Sequence, residues 1–390
     1  MAGRPPRLSP VTAPIVATVV AALEARFPPP LAESWDRVGL VCGDPDAEVD
    51  RIIFAVDPTL AVAEEAVAAG AQLLVTHHPL LLRGVHSVAA TTGKGRVVHR
   101  LVSNGCALFA MHTNADAAAG GTNDTLARLL RLQSVGPLVP AIGEPIDKLA
   151  VFVPPPQRAA VMAALFAAGA GEIGEYDHCA YWTEGTGQFR PSPRADPFIG
   201  SSGEVSQIGE SRVEVVLPRR RRAAAVAALR AAHPYEEPAF DVWETVTPTA
   251  VGIGRVGTLA HPMTLREFAE AVAEILPTTA TGVRVAGDPD RNVSRVAICS
   301  GAGDSLLGAA RRSGADVYLT ADLRHHPADE HLADGGCALV DVSHWASEWP
   351  WLAGAAKAVT SDLAAAGYTV EASASSRSTD PWSFRVGGMR

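Results

Sequence analysis

The sequence predicts an α/β protein in which two related α/β lobes form one core, interrupted by a ferredoxin-like α+β insert domain. Three observations predict it. Apolar strands alternate with helices in both end regions, the rhythm of a mostly parallel sheet covered on both faces. The middle region reads strand-helix-strand-strand-helix-strand instead, the split βαβ order. An internal repeat links the ends: "GAQLLVTHHP" from Gly70 resembles "GADVYLTADL" from Gly314, and "CALFAMHT" from Cys106 matches "CALVDVSH" from Cys337. Two matches in one order imply related lobes. The expected boundaries are 1–145 for the first lobe, 146–248 for the insert and 249–390 for the second lobe.

In the first lobe, "RIIFAVDP" reads as a buried strand and "TLAVAEEAVAAG" as a helix stopped at Gly70. "AQLLVTHHP" is the next strand, "GKGRVVHRLVSNG" a helix ending at Gly105, and "CALFAMHTN" a third strand. In the insert, "DKLAVFVP", "DHCAYWTEGTGQFRP", "SRVEVVLP" and "AFDVWETV" supply strands. "PQRAAVMAALFAAGAG" and "RRRAAAVAALRAAH" supply helices, and "PSPRADPFIGSSGEVSQIG" is a loop. In the second lobe, "NVSRVAICSGAG" runs from a strand into a glycine turn, and "DSLLGAARRSG" is a helix. "ADVYLTADLRHHP" is a strand and polar loop, and "CALVDVSHWASE" a strand leading into a helix.

The bulk numbers exclude some functions. A chain of 390 residues is too long for one ordinary core. The formal net charge of −9 gives no global footprint for nucleic acid. The basic run Arg219–Arg222 reads as a solvated helix start, with an anion or subunit contact as the alternative. The five cysteines are scattered without a C-x-x-C pair, as expected of free thiols in a reducing cytoplasm. No apolar run is long enough for a membrane span, and the first segment does not read as a signal peptide, so a cytoplasmic location without membrane contact is expected.

Histidines and carboxylates recur where strands end. The first lobe offers His77 and His78, then His112 and Asp116; the second offers His344 and Glu348. Neighbouring strand residues point to opposite faces, so His77 and His78 leave the chain in different directions. His344 and Glu348, four apart, share a helix face. Histidine with carboxylate suits a first-row divalent ion, zinc, iron or manganese among them, and the ligands do not discriminate. A two-metal centre uses diverging imidazoles, with Asp116 the expected bridge. His112 and Asp322 are the candidates for proton transfer; Asp322, at the repeat position near that of His77, could instead orient a ligand or cap a turn. His325 and His326 lie in the polar loop beyond their strand and are weaker site residues, and His86 and His99 read as structural.

Two glycine motifs are ambiguous. "GIGRVG" (252–257) leads into "TLAHP" rather than a helix, so it reads as a tight strand connection, not a dinucleotide site. "SGAGDS" (300–305) either holds an anion or is an ordinary strand-to-helix turn.

Taken together, "ESWDRVGLVCGDP", "LLVTHHPL", "HTNADAAAGGTNDTLA", "CSGAGDSLL", "GADVYLTADLRHH" and "VDVSHWASE" resemble the Nif-three-like dinuclear metal proteins, the GTP cyclohydrolase 1 type 2 homologues, over about 33–390. The resemblance implies two divalent metal ions per subunit, held by His77, His78, Asp116, His344 and Glu348. It also implies a toroidal homo-hexamer with its metal sites facing an internal cavity. One departure is visible, Thr320-Ala321-Asp322 where the family often has Thr-Gly-Asp or Thr-Gly-Glu. The segment ending "AAHPYEEPAFDV" resembles a PII-like, CutA-like insert. His233, Tyr235 and Glu236 then belong either to a metal or effector site or to a rigid turn. Two functions follow as expectations. One is a metal-dependent hydrolase that activates water, acting on a nucleotide or phosphorylated small molecule. The other is a non-enzymatic metal-handling or regulatory protein with a small-molecule-sensing insert.

Overall fold

The computed structural model describes residues 13–142, 145–245 and 248–386. The chain forms two compact units. One comprises the residues up to Ala141 and from Ala250 onward; the other is Ile142–Thr249.

The larger unit contains two sheets. In the first, Arg51–Ala55, Leu73–Thr76 and Ala107–Ala110 lie side by side and parallel. Gly39–Cys42 closes one edge antiparallel to Ala107–Ala110. In the second sheet, Asn292–Ala302, Val317–Ala321 and Ala338–Val342 repeat the parallel trio. Arg284–Ala286 repeats the antiparallel edge. The matching trios and edges are the structural form of the repeat. Two features break it. Glu371–Ala374, late in the chain, pairs parallel with Arg51–Ala55 and so completes the first lobe's sheet. Pro248–Thr264 and Gln133–Ile142 extend the second sheet.

Side-chain alternation distributes the strands between three cores. Leu73, Val75, Phe54 and Phe109 share one large core with Ile298, Leu319 and Val340 of the other sheet. Helices Val16–Arg26, Leu265–Ile275 and Trp351–Ala365 contribute to that core. The opposite face of the first sheet, with Ile53, Leu74 and Leu108, is covered by helices Leu60–Ala68 and Gly93–Val102. The opposite face of the second, with Ala297, Tyr318 and Leu339, is covered by helix Leu307–Arg312. Both sheets are therefore sandwiched, as parallel sheets require.

Arg255 ties the lobes together. It is buried, it pairs with Asp124, and it donates to the carbonyls of Gly252 and Ala118 at 2.7 and 3.1 Å. "GIGRVG" lies inside the long strand Pro248–Thr264 rather than at a strand connection. The glycines are needed because a Cβ on Gly252 would strike the backbone at Val139 and Ala141.

In the smaller unit, strands Ile146–Val153, Ala180–Phe189, Ser206–Pro218 and Phe240–Thr245 form one antiparallel sheet in the order second-third-first-fourth. Helices Arg158–Ala167 and Arg222–Ala232 pack on one face around Leu149, Val151, Val213 and Val215. This is the ferredoxin-like order. The third strand begins at Ser206, earlier than its apolar residues indicate, because a long register with Ala180–Phe189 recruits "SQIGE". The loop is correspondingly shorter. The Arg219–Arg222 run starts the second helix, where Arg219 and Arg222 bond the buried Asp147 at 3.2 and 2.6 Å. His325 and His326, expected in a loop, open the helix His325–Ala333.

No helix among the described residues is long and apolar enough to cross a membrane.

Candidate metal centre

The ladder between Arg51–Ala55 and Leu73–Thr76 continues past the strand ends, with the amides of His77 and His78 bonding the carbonyls of Ala55 and Val56 at 3.0 and 2.9 Å. The two histidines therefore keep strand alternation. His77 falls on the core side, wholly buried, with its ring 5.6 Å from that of Trp351. His78 falls on the outer side and is partly exposed.

Their rings nevertheless converge. His77 Nδ1 donates to the Met111 carbonyl at 2.9 Å, and His78 Nδ1 to Asp57 Oδ1 at 2.7 Å. Each ring thereby turns Nε2 inward. His344 does the same from the second lobe, its Nδ1 bonded to Asp322 Oδ2 at 2.6 Å. Ser343 caps the short helix His344–Glu348, and one turn brings Glu348 beneath His344. Glu348 Oε1 lies 3.3 Å from His77 Nε2 and 3.1 Å from His344 Nε2; Oε2 lies 3.2 Å from His78 Nε2. Asp116, on helix Thr113–Ala117, lies 3.6 Å from His77 Nε2 and accepts from Thr122 Oγ1 at 2.5 Å. All five expected ligand residues thus meet, but the carboxylate touching three imidazoles is Glu348. Asp116, the bridge expected from sequence, touches one of them.

His112 joins the group. Its Nδ1 bonds Asp36 Oδ1 at 2.8 Å, and its ring lies 5.2 and 5.4 Å from those of His77 and His78. Asp322 holds His344, so it stands behind a ligand. It adopts a left-handed φ of 58°, which aspartate tolerates better than most residues. Ala321 is an ordinary buried strand residue paired with Val342, so its methyl causes no strain. His325 and His326 are exposed and face each other, apart from the cluster.

The charges are mutually supportive. Burial opposes protonation of His78 and His344, but the charge of Glu348 and the Asp57 and Asp322 hydrogen bonds outweigh it, raising them to about 10 and about 11. His77 is raised as well, despite burial, by Glu348 and Asp116. Burial works against the Glu348 carboxylate, yet the three imidazoles hold it well below the carboxylate range. Hydrogen bonds from His112 and Thr113 hold Asp36 down, likewise against burial.

The donor set fits a metal. His77, His78 and His112, and likewise His78, His344 and Glu348, present donor atoms within 4.8 Å of one another. His77 Nε2 and Glu348 Oε2 are buried without a hydrogen-bond partner among the described residues, despite their short distances to neighbours. Such orphaned atoms are costly unless something fills the space between them. Gly301 leaves that space: its φ is 67°, and a Cβ there would collide with Glu348 Oε1 and crowd His344 Nε2. "SGAGDS" is therefore a wall of this centre.

Sequence reasoning missed three contributors: Asp36, Asp57 and Gly301. Asp57 follows the strand Arg51–Ala55, so the strand-end rule that found His77 reaches it too. Beside the cluster opens a cavity of about 590 Å³ lined by His78, His344, Asp57, Asp322, Arg284 and Trp382, among others. The segment after the last strand closes over it, Thr379 donating to Asp57 and Ser343 donating to Asp380 at 2.5 Å.

Fold and site together define a two-lobed α/β protein whose histidine–glutamate cluster could hold a metal ion. The chain belongs to the Duf34/NIF3 (NGG1p interacting factor 3) family, whose model matches residues 14–381. It is 51% identical over 371 residues to a GTP cyclohydrolase 1 type 2 homolog of Mycobacterium tuberculosis, covering 95% of this chain and 97% of the relative. A Bacillus subtilis protein of the same name is 39% identical over 331 residues, 85% and 88% of the two chains. Among solved structures, a Bacillus cereus protein related to NIF3 is 34% identical with a TM-score of 0.69, covering 96% of this chain and all of that one.

Proposed function

We propose that this protein is a metal-dependent hydrolase of the GTP cyclohydrolase 1 type 2 kind, acting on a nucleotide or another phosphorylated small molecule. The observation that carries the reading is the convergence of four imidazoles and two carboxylates beside an open cavity. His77, His78, Asp116, His344 and Glu348 would hold two divalent ions, zinc, iron or manganese. Bound there, such ions supply Lewis acidity that makes water a nucleophile at neutral pH and stabilises developing negative charge. Asp57, Asp322 and the Met111 carbonyl orient the ligand imidazoles. His112, steadied by Asp36, accepts or returns a proton at Nε2, and Asp322 is a positioning residue. Arg284, paired with Asp341 at the cavity wall, is placed to meet a substrate anion. The relatives' name supports the nucleotide reading. The same proposal takes 1–145 and 249–390 as the metal-binding lobes, 146–248 as a PII-like insert, and the working form as a cytoplasmic homo-hexamer, which light scattering of the purified chain would check.

The test is purification with native metal, followed by assay against nucleotides and phosphoesters beside His78→Ala and Glu348→Ala. Turnover lost in both variants is expected. Turnover that survives both would sink the hydrolytic role of the cluster. Bound metal without turnover on any substrate would favour the metal-handling function.

A further inference from the structure

The smaller unit holds a second cavity, of about 460 Å³, between the loop 190–205 and the turn after helix Arg222–Ala232. Its position follows from "HPYEEP". His233 donates through Nε2 to the Phe152 carbonyl at 2.9 Å and accepts the Tyr235 amide at Nδ1, at 3.1 Å. A ring with one donor and one acceptor committed is neutral. The turn is thereby rigid, and it aims Tyr235 into the cavity.

Tyr235 stands between two phenylalanines. Its ring centroid lies 6.3 Å from Phe189 and 6.3 Å from Phe198, tilted by 51° and 49°. Aromatic faces carry negative electrostatic potential and attract cations. Two carboxylates share the cavity, Glu210 from strand Ser206–Pro218 and Glu236 beside Tyr235. Neither has an ion-pair partner among the described residues. Glu236 instead accepts the Asp196 amide at 3.2 Å, which fastens the loop over the opening. The neighbouring Glu237 is already paired with Arg230. Arg194 is the one cationic side chain lining the cavity, and it is exposed. The Tyr235 hydroxyl is buried close to the Glu210 carboxylate, without a well-aligned hydrogen bond to any described residue. Burial and the Glu210 charge keep it protonated.

Two unpaired carboxylates argue against an anion. Three aromatic rings argue against a divalent metal, and no set of three metal donors occurs here among the described residues. We propose that this cavity binds a small organic cation, an alkyl- or methylammonium ion, with its apolar surface on Phe189, Tyr235 and Phe198 and its charge facing Glu210 and Glu236. The site lies wholly within the smaller unit and does not depend on the hydrolase reading.

Calorimetric titration of the full chain with choline, and with its neutral isostere 3,3-dimethylbutan-1-ol, tests this. Saturable choline binding is expected, with the isostere at least about tenfold weaker, or about 1.4 kcal/mol. Glu210→Gln and Phe198→Ala should each weaken choline about tenfold while circular dichroism and metal content stay unchanged. Tyr235→Phe, nearly isosteric, provides a variant that keeps the packing. Equal binding of the isostere would reduce the site to an apolar pocket and overturn the proposal. So would the absence of saturable choline binding at millimolar concentration, or unchanged affinity in both Glu210→Gln and Phe198→Ala, Tyr235→Phe being expected to retain most of the affinity.

Discussion

Three imidazoles reach the candidate centre through the same nitrogen because each has its other nitrogen tied to an oxygen. That makes the anchors as informative as the ligands. Asp57→Asn and Asp322→Asn should each lower metal affinity about 10- to 100-fold without unfolding the protein, as read by chelator competition. Gly301→Ala places a methyl in the space between Glu348 and His344, so metal content should fall sharply while the circular dichroism spectrum is retained. The protonation state gives a pH dependence. His78 and His344 are raised from the ordinary 6.5 to about 10 and about 11. In the metal-free chain their stabilising contribution is complete below pH 6.5 and is lost as pH rises through those values. A metal bound by the proposed ligands would have to displace these protons. Uptake should therefore strengthen between about pH 6 and about pH 8, with proton release visible as buffer-dependent heat; pH-independent affinity over that range would contradict it. The clustered histidines and carboxylates were legible in the sequence because few packing tasks call for such residues at equivalent strand ends. Asp36 and Gly301 were not, since an aspartate ahead of a short edge strand or a glycine after a strand has the same composition as an ordinary turn; Asp57 sits at a strand end like His77, but a lone aspartate there also reads as a turn residue.

At the scale of elements, the parallel trios were readable and the edges were not. Arg51–Ala55, Leu73–Thr76 and Ala107–Ala110 are nearly continuous apolar runs because both faces are covered. Gly39–Cys42, Arg284–Ala286 and Glu371–Ala374 are short and half-exposed, so nothing in their composition marks them as strands. Pro248–Thr264 was hidden by its prolines and glycines. Helix Leu265–Ile275 begins with a capping box, Thr264 accepting from the Glu267 amide and Glu267 accepting from the Thr264 amide. Thr264→Ala should cost about 1 kcal/mol, measured by denaturant unfolding. Arg255→Met should cost about 3 kcal/mol, because Asp124 and several carbonyls lose their partner in a largely buried setting. A variant as stable as the parent would show that the cross-lobe tie contributes little.

At the scale of the whole molecule, the two-lobe plan and the inserted ferredoxin-like order were both visible in the rhythm of strands and helices. The exchange of the last strand was not, because a parallel partner some 320 positions earlier leaves no local trace; Glu371 pairs with Arg51. The smaller unit has its own core, built from Leu149, Val151, Val161, Val213, Leu217 and Leu229. Residues 142–249 expressed alone should fold, giving a dispersed amide spectrum and a cooperative thermal transition; a collapsed, undispersed spectrum would show that the unit needs the rest of the chain.

The pairing of Glu371–Ala374 with Arg51–Ala55 also sets an order of events during synthesis. Domains tend to fold as they leave the ribosome, and the insert can do so as soon as it emerges. The first lobe cannot: His77 and His78 lack His344 and Glu348, and its sheet lacks an edge, until the chain has been translated through Glu371–Ala374. A nascent chain stalled before that point has two imidazoles but not the cluster they share with His344 and Glu348, so metal capture by the proposed centre would wait for the second lobe.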